Sequence, residues 1–142
     1  MTNQTAVRFG YPETLIREYD HWFVLLREQQ ATLGSLVLCA KSEATEFSAL
    51  SMEAHAEMGK VVGEIEHALK DAFDYEKINY LMLMMVDPNV HFHVIPRYSE
   101  ARSACGLTIP DPGWPAMPQL GVAHELTSTE HEALLAYISS YW

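Results

Sequence analysis

The chain has 142 residues, 49% of them hydrophobic and 20% charged, with a formal net charge of −10. That length suits one domain with a real core, and the balance is that of an ordinary globular protein. The acidic surplus argues against a nucleic-acid polymer as partner, because a phosphate backbone calls for a basic surface; a small phosphorylated ligand held by a local cationic cluster is not excluded.

The N-terminal "MTNQTAVRFGYPETL" lacks the apolar core of a secretory signal, and no apolar run reaches the length of a membrane span, so no membrane partner is expected. "HWFVLLRE" (21–28) and "SLVLCA" (35–40) predict two strands joined by a turn, with Gly34 supplying backbone freedom. Cys39 reads as a small buried apolar residue. Cys39 and Cys105 are too few and too far apart for a metal knuckle or a disulfide framework, and a reducing cytoplasm is the simplest compartment. A long helix follows, with Ser51 as N-cap, Glu53 in its first turn, and Met58, Val61, Val62, Ile65, Leu69 and Phe73 as an apolar stripe.

"KINYLMLMM" (77–85) is apolar almost throughout and predicts a strand buried on both faces, returning through Asp87-Pro88 into "NVHFHVIPRY" (89–98). Proline-rich "CGLTIPDPGWPAMPQLG" cannot be a regular element. The C-terminal "TSTEHEALLAYISSYW" predicts a helix, with Thr127 and Glu130 spaced as a capping box and Leu134, Leu135 and Ile138 as its buried side. No repeat or linker divides the chain, so a single domain over 1–142 is expected, with its core at about 15–100. The element order is α+β: an antiparallel meander sheet, a long central helix and a C-terminal helix.

Strand alternation would project Asn89, His91 and His93 from one face and Val90, Phe92 and Val94 from the other. Same-face neighbours lie roughly 6.5–7 Å apart, a spacing that suits one phosphoryl group between imidazoles. A neutral imidazole can attack phosphorus while its neighbours stabilise charge on the non-bridging oxygens. Pro96 would end the ladder, with Arg97 emerging near the ligand. The plainer reading is a strand with one solvated polar face. A metal-binding reading needs further ligands, and His21, His55, His67, His124 and His131 are too scattered to nominate them.

"NVHFHVIPRY" resembles the signature of the histidine triad (HIT) superfamily, His-x-His-x-His followed by two apolar residues, and its Pro-Arg continuation resembles the hydrolase branch. The Gly-bearing turn, the central helix, the strand before the motif and the "DPGWP" tail fall in the family's order. The resemblance implies a nucleotide-binding HIT-like fold, usually a homodimer whose sheets join. It also implies attack on a nucleotide α-phosphate by the middle histidine, His91, through a nucleotidyl-histidine intermediate that water resolves to a nucleoside monophosphate. His93 would bind and polarise the phosphate beside Asn89. No cofactor is required, although Mg²⁺ could accompany a polyphosphate substrate, and no metal site is assigned.

Four departures stand out: Asn89 at the triad's first place, no Gly or Gln in "MMVDPN", Gly34-Ser35 for the family's Gly-His, and Arg27 where an asparagine commonly holds the ribose. An amide cannot carry charge or shuttle a proton. Arg27 could meet a phosphate but reads first as a solvated charge at a strand end. Trp114 could cover a ligand, reach across a dimer or pack on its own domain. The departures motivate an alternative, a nucleotide-binding or regulatory protein with weak or lost catalysis.

Overall fold

The computed structural model describes residues 3–142. In chain order its elements are α1 (Gln4–Arg8), β1 (Leu15–Glu18), β2 (Trp22–Leu26), β3 (Gln29–Gln30), β4 (Leu36–Ala40), α2 (Met52–Phe73) and β5 (Lys77–Leu81). They continue with β6 (His91–Arg97), β7 (Arg102–Ala104), β8 (Leu107–Ile109), β9 (His124–Glu125) and α3 (Ser128–Ser139). Strands β1, β2, β4, β6 and β5 form one sheet in that order, antiparallel throughout, with β5 at an edge. This is the expected α+β fold.

Alternation divides the sheet's two faces. Val24, Leu26, Leu36, Leu38 and Val94 point to the main core, where they meet Val61, Ile65 and Leu69 of α2 and Leu134 and Ile138 of α3. The opposite face carries two cross-strand rows: Phe23, Cys39 and His91 in one, and Leu25, Val37 and His93 in the other. The helices that hold the core are locally well specified. The Ser51 hydroxyl accepts from the Ala54 N–H at 3.1 Å, and α2 ends where Asp74 turns left-handed at φ 50°. Thr127 and Glu130 form the capping box of α3. Gly34 has φ +90°, and a Cβ there would stand 2.7 Å from the Phe73 ring, so glycine is required twice over.

Three strand expectations change. The apolar run 77–85 makes a strand only as far as Leu81, and that strand is a half-buried edge rather than one buried on both faces. Met84 takes φ 52°, and Leu83, Met85 and Val86 are exposed, because these side chains rim a cavity instead of filling the core. Pro96 does not end the ladder but pairs with Ile78 inside β6. It is tolerated because β4 flanks β6 only as far as Leu36 opposite Val94. The Pro96 carbonyl on that side accepts the Thr32 hydroxyl at 2.6 Å instead.

Arg97 likewise does not emerge near a ligand. Its guanidinium is buried against Asp111, with Nε–Oδ2 at 2.6 Å and Nη2–Oδ1 at 3.1 Å, and Nη1 donates to Asn79 at 2.7 Å. A buried guanidinium needs an acid, and the proline-rich tail provides one. Contrary to expectation, that tail is not irregular throughout: Leu107–Ile109 within it forms β8 and pairs with β7, and β9 beyond it pairs with β3. The turn before β4 is therefore no plain turn: buried Gln30 accepts from the Gly34 and Ser35 N–H groups and donates to the Arg27 and Ser35 carbonyls. Among the described residues no helix is long and apolar enough to cross a membrane.

Candidate functional site

The histidine-bearing face is roofed by α1. Asn3 caps this helix, accepting from the Ala6 N–H at 2.8 Å, while its Nδ2 donates to the carbonyls of Ala40 at 2.6 Å and Ser42 at 2.8 Å. Ala6 then packs on Phe23, Leu25, Val37 and Cys39. Phe9, just past the helix, places its ring 5.4 Å from that of His91 and 5.6 Å from that of His93, edge-on to the latter.

His91 is 2% exposed, and its Nδ1 lies 2.8 Å from the Asn89 carbonyl. A carbonyl only accepts, so Nδ1 carries the proton and Nε2 keeps its lone pair. The His93 ring stands 5.2 Å away, nearly perpendicular. Arg27 Nε donates to His93 Nδ1 at 3.3 Å, which leaves the proton of a neutral His93 on Nε2. Burial, then the charges of Arg27 and His91, push His93 down to about 4. Arg27 is thus not the solvated charge its sequence position suggests. It is half-buried, with Nη1 donating to the Gln29 carbonyl, and burial lowers its pKa from a starting value high enough to leave it charged.

Asn89 precedes β6, so strand alternation does not set its direction. Its Oδ1 accepts from the Thr5 hydroxyl at 2.9 Å and the Thr5 N–H at 3.3 Å, and its Nδ2 donates to the Glu43 carbonyl at 2.9 Å. The amide thereby fastens α1 to the sheet, and Asn89 reaches His91 through its main-chain carbonyl.

His91, His93 and Arg27 share a cavity of about 390 Å³ with Arg8 and Phe9, and Leu83, Met84, Met85, Val86 and Leu120 make its apolar wall. Asp87 is the acid on its lining, 3.4 Å from Arg8. Trp114 borders a separate groove along β5. The remaining histidines lie elsewhere: His21, whose main-chain N–H donates to Glu57, His55 against Phe47, His67 beside Asp71, His124 on Glu130 and His131 on Glu28. Among the described residues no three His, Cys, Asp or Glu side chains are grouped to hold a metal ion. Sequence reading missed Thr5, Arg8 and Phe9. The signal was there in Asn3 as an N-cap, but a helix of five residues is too short for periodicity to reveal.

Residues 8–100 match the family described as HIT domain. No functionally curated protein matches significantly. The fold is shared with a histidine triad protein from Sinorhizobium meliloti at TM-score 0.78 and 22% identity, covering 100% of this chain and 96% of that one. A hypothetical histidine triad nucleotide-binding protein from Sulfolobus tokodaii has TM-score 0.71 and 18% identity, covering 96% and 88%. A HIT-like protein from Bartonella henselae, described as involved in cell-cycle regulation, has TM-score 0.67 and 17% identity, covering 97% and 93%. At these identities the likeness shows the fold alone.

Proposed function

Because the chain belongs to the HIT domain family, we propose that it cleaves nucleotide derivatives at the α-phosphate, with His91 as nucleophile. The observation that carries this reading is the His91 Nδ1–Asn89 carbonyl hydrogen bond, which fixes the tautomer whose Nε2 can attack. The Nε2 lone pair forms an N–P bond as the P–O bond to the leaving group breaks and the leaving group departs with the electron pair. His93 donates from Nε2–H to a non-bridging oxygen, and the Asn89 carbonyl faces the positive charge that develops on His91. Water then attacks phosphorus, the N–P pair returns to Nε2, the water proton passes to solvent, and a nucleoside monophosphate leaves.

The leaving group follows from what the site lacks. His93 is neutral at physiological pH and the Asn89 amide has no proton to give up, so neither protonates a departing atom. A phosphoanhydride, whose leaving group departs as a stable anion, suits this site better than a phosphoramidate. Mg²⁺ would accompany only such a polyphosphate substrate. The reading includes a homodimer formed along edge strand β5.

A second reading, nucleotide binding without turnover, is favoured by Phe9 seated over both imidazoles. Incubation with a panel of dinucleoside polyphosphates and adenosine and guanosine phosphoramidates separates the two. Turnover predicts nucleoside monophosphate release, at least ~10³-fold slower in His91→Ala. Release unchanged in that variant would sink the mechanism, and binding without product would select the second reading.

A further inference from the structure

We propose that Arg27 is the anion-binding residue of this site, supplying from the end of β2 the positive charge that Asn89 does not carry. The inference rests on the phosphate-directed reading above and adds to it the group that recognises the substrate's charge.

The first argument is an unmatched charge. Among the described residues Arg27 has no carboxylate within ion-pairing distance; its partners are a histidine nitrogen and a main-chain carbonyl. The contrast is Arg97, more deeply buried and gripped by both oxygens of Asp111. Arg8, the other cation on the cavity wall, is 62% exposed and already faces Asp87. A half-buried guanidinium in a chain of net charge −10 would ordinarily meet an acid, and the cavity is where a counter-charge can enter.

The second argument is preorganisation. Arg27 continues the Phe23–Leu25 face, and its main-chain carbonyl is held by Gln30 at 2.6 Å. Two of the five guanidinium N–H groups are used, on His93 and Gln29, which fixes the plane and leaves three for a ligand. The titratable and charged groups around it are His91 and His93 from β6 and the Arg8–Asp87 pair, while β4 presents Val37 and Cys39 and α1 leads to Phe9. Its contact with His93 disfavours a proton there, so the two residues do not carry charge together. The cation of this site is therefore an arginine, and it does not titrate near neutrality.

Calorimetric titration with sulfate, whose charge is constant over the range used, tests the assignment apart from turnover. The expected result is binding weakened about tenfold or more in Arg27→Gln and by less in Arg27→Lys, which retains the charge but not the planar fork. Arg8→Gln should bind within about threefold of wild type, and wild-type affinity should stay flat within about twofold from about pH 5.5 to about pH 8.5. Sulfate binding that is absent in wild type, unchanged in Arg27→Gln, or lost as the pH rises through about 6–7 would overturn the proposal. Arg27-dependent sulfate binding in a protein that releases no nucleoside monophosphate would uphold it and sink the catalytic reading instead.

Discussion

Asn89 is held at both ends of its amide, by Thr5 on Oδ1 and by the Glu43 carbonyl on Nδ2, and it is 7% exposed. An imidazole in its place offers one donor and one acceptor at different angles, so at least one of these buried partners would lose its bond. Asn89→His is therefore expected to cost about 2–4 kcal/mol, the sum of a lost hydrogen bond and a stranded polar group, and to bring no gain in turnover. Urea midpoints and the nucleotide assay check this; an equally stable and faster variant would contradict it. At this scale period two revealed His91 and His93 on one face of a strand. It could not reveal Asn89's role, because Thr5 lies 84 positions away in sequence. The surroundings of Arg27 were hidden for a related reason: its side-chain partner His93 on β6 lies 66 positions away in sequence.

Among the elements, those written by local rules were legible. Helices α2 and α3 announce themselves through caps and stripes, and their burial follows those stripes. The run 77–85 was harder, since an apolar composition does not distinguish a core strand from an edge strand that continues into a cavity wall. The tail shows the same limit. Its prolines marked irregularity, but nothing local paired Asp111 with Arg97. Asp111→Ala would strand a guanidinium that is 5% exposed and still hydrogen-bonded only to Asn79 among side chains. A loss of about 3–5 kcal/mol is expected from such a broken buried pair, measured by urea unfolding; a shift below about 1 kcal/mol would mean that the clamp is dispensable.

Across the whole molecule one sheet serves two environments, with α2 and α3 on the packed side and α1 over the histidines. The fold class was legible because strand and helix signals alternate in an order with few layered solutions. The site side was not, because it depends on a short N-terminal helix closing over the sheet. This arrangement has a thermodynamic signature. His93 takes a proton near its ordinary ~6.5 when unfolded, but only at about 4 when folded. Between these values the unfolded chain binds more protons, so acidification favours unfolding, and stability falls as the pH drops through this window. Above it His93 contributes no pH dependence. The expected observation is a wild-type urea midpoint that declines more steeply than that of His93→Gln between about pH 6.5 and about pH 4. Parallel declines in the two proteins would show that His93 is not the group responsible.

The link between Thr5 and Asn89 also constrains which side chains position 89 accepts. The two duties of this position are separable: the side-chain amide seats α1, whereas the carbonyl offered to His91 is main chain and stays with any residue. A histidine placed at 89 would meet Thr5 and Glu43 shaped for an amide, so its effect depends on whether those neighbours change with it. Asparagine here is therefore part of the packing that closes α1 over the sheet, and an imidazole calls for matching changes at Thr5 and around Glu43.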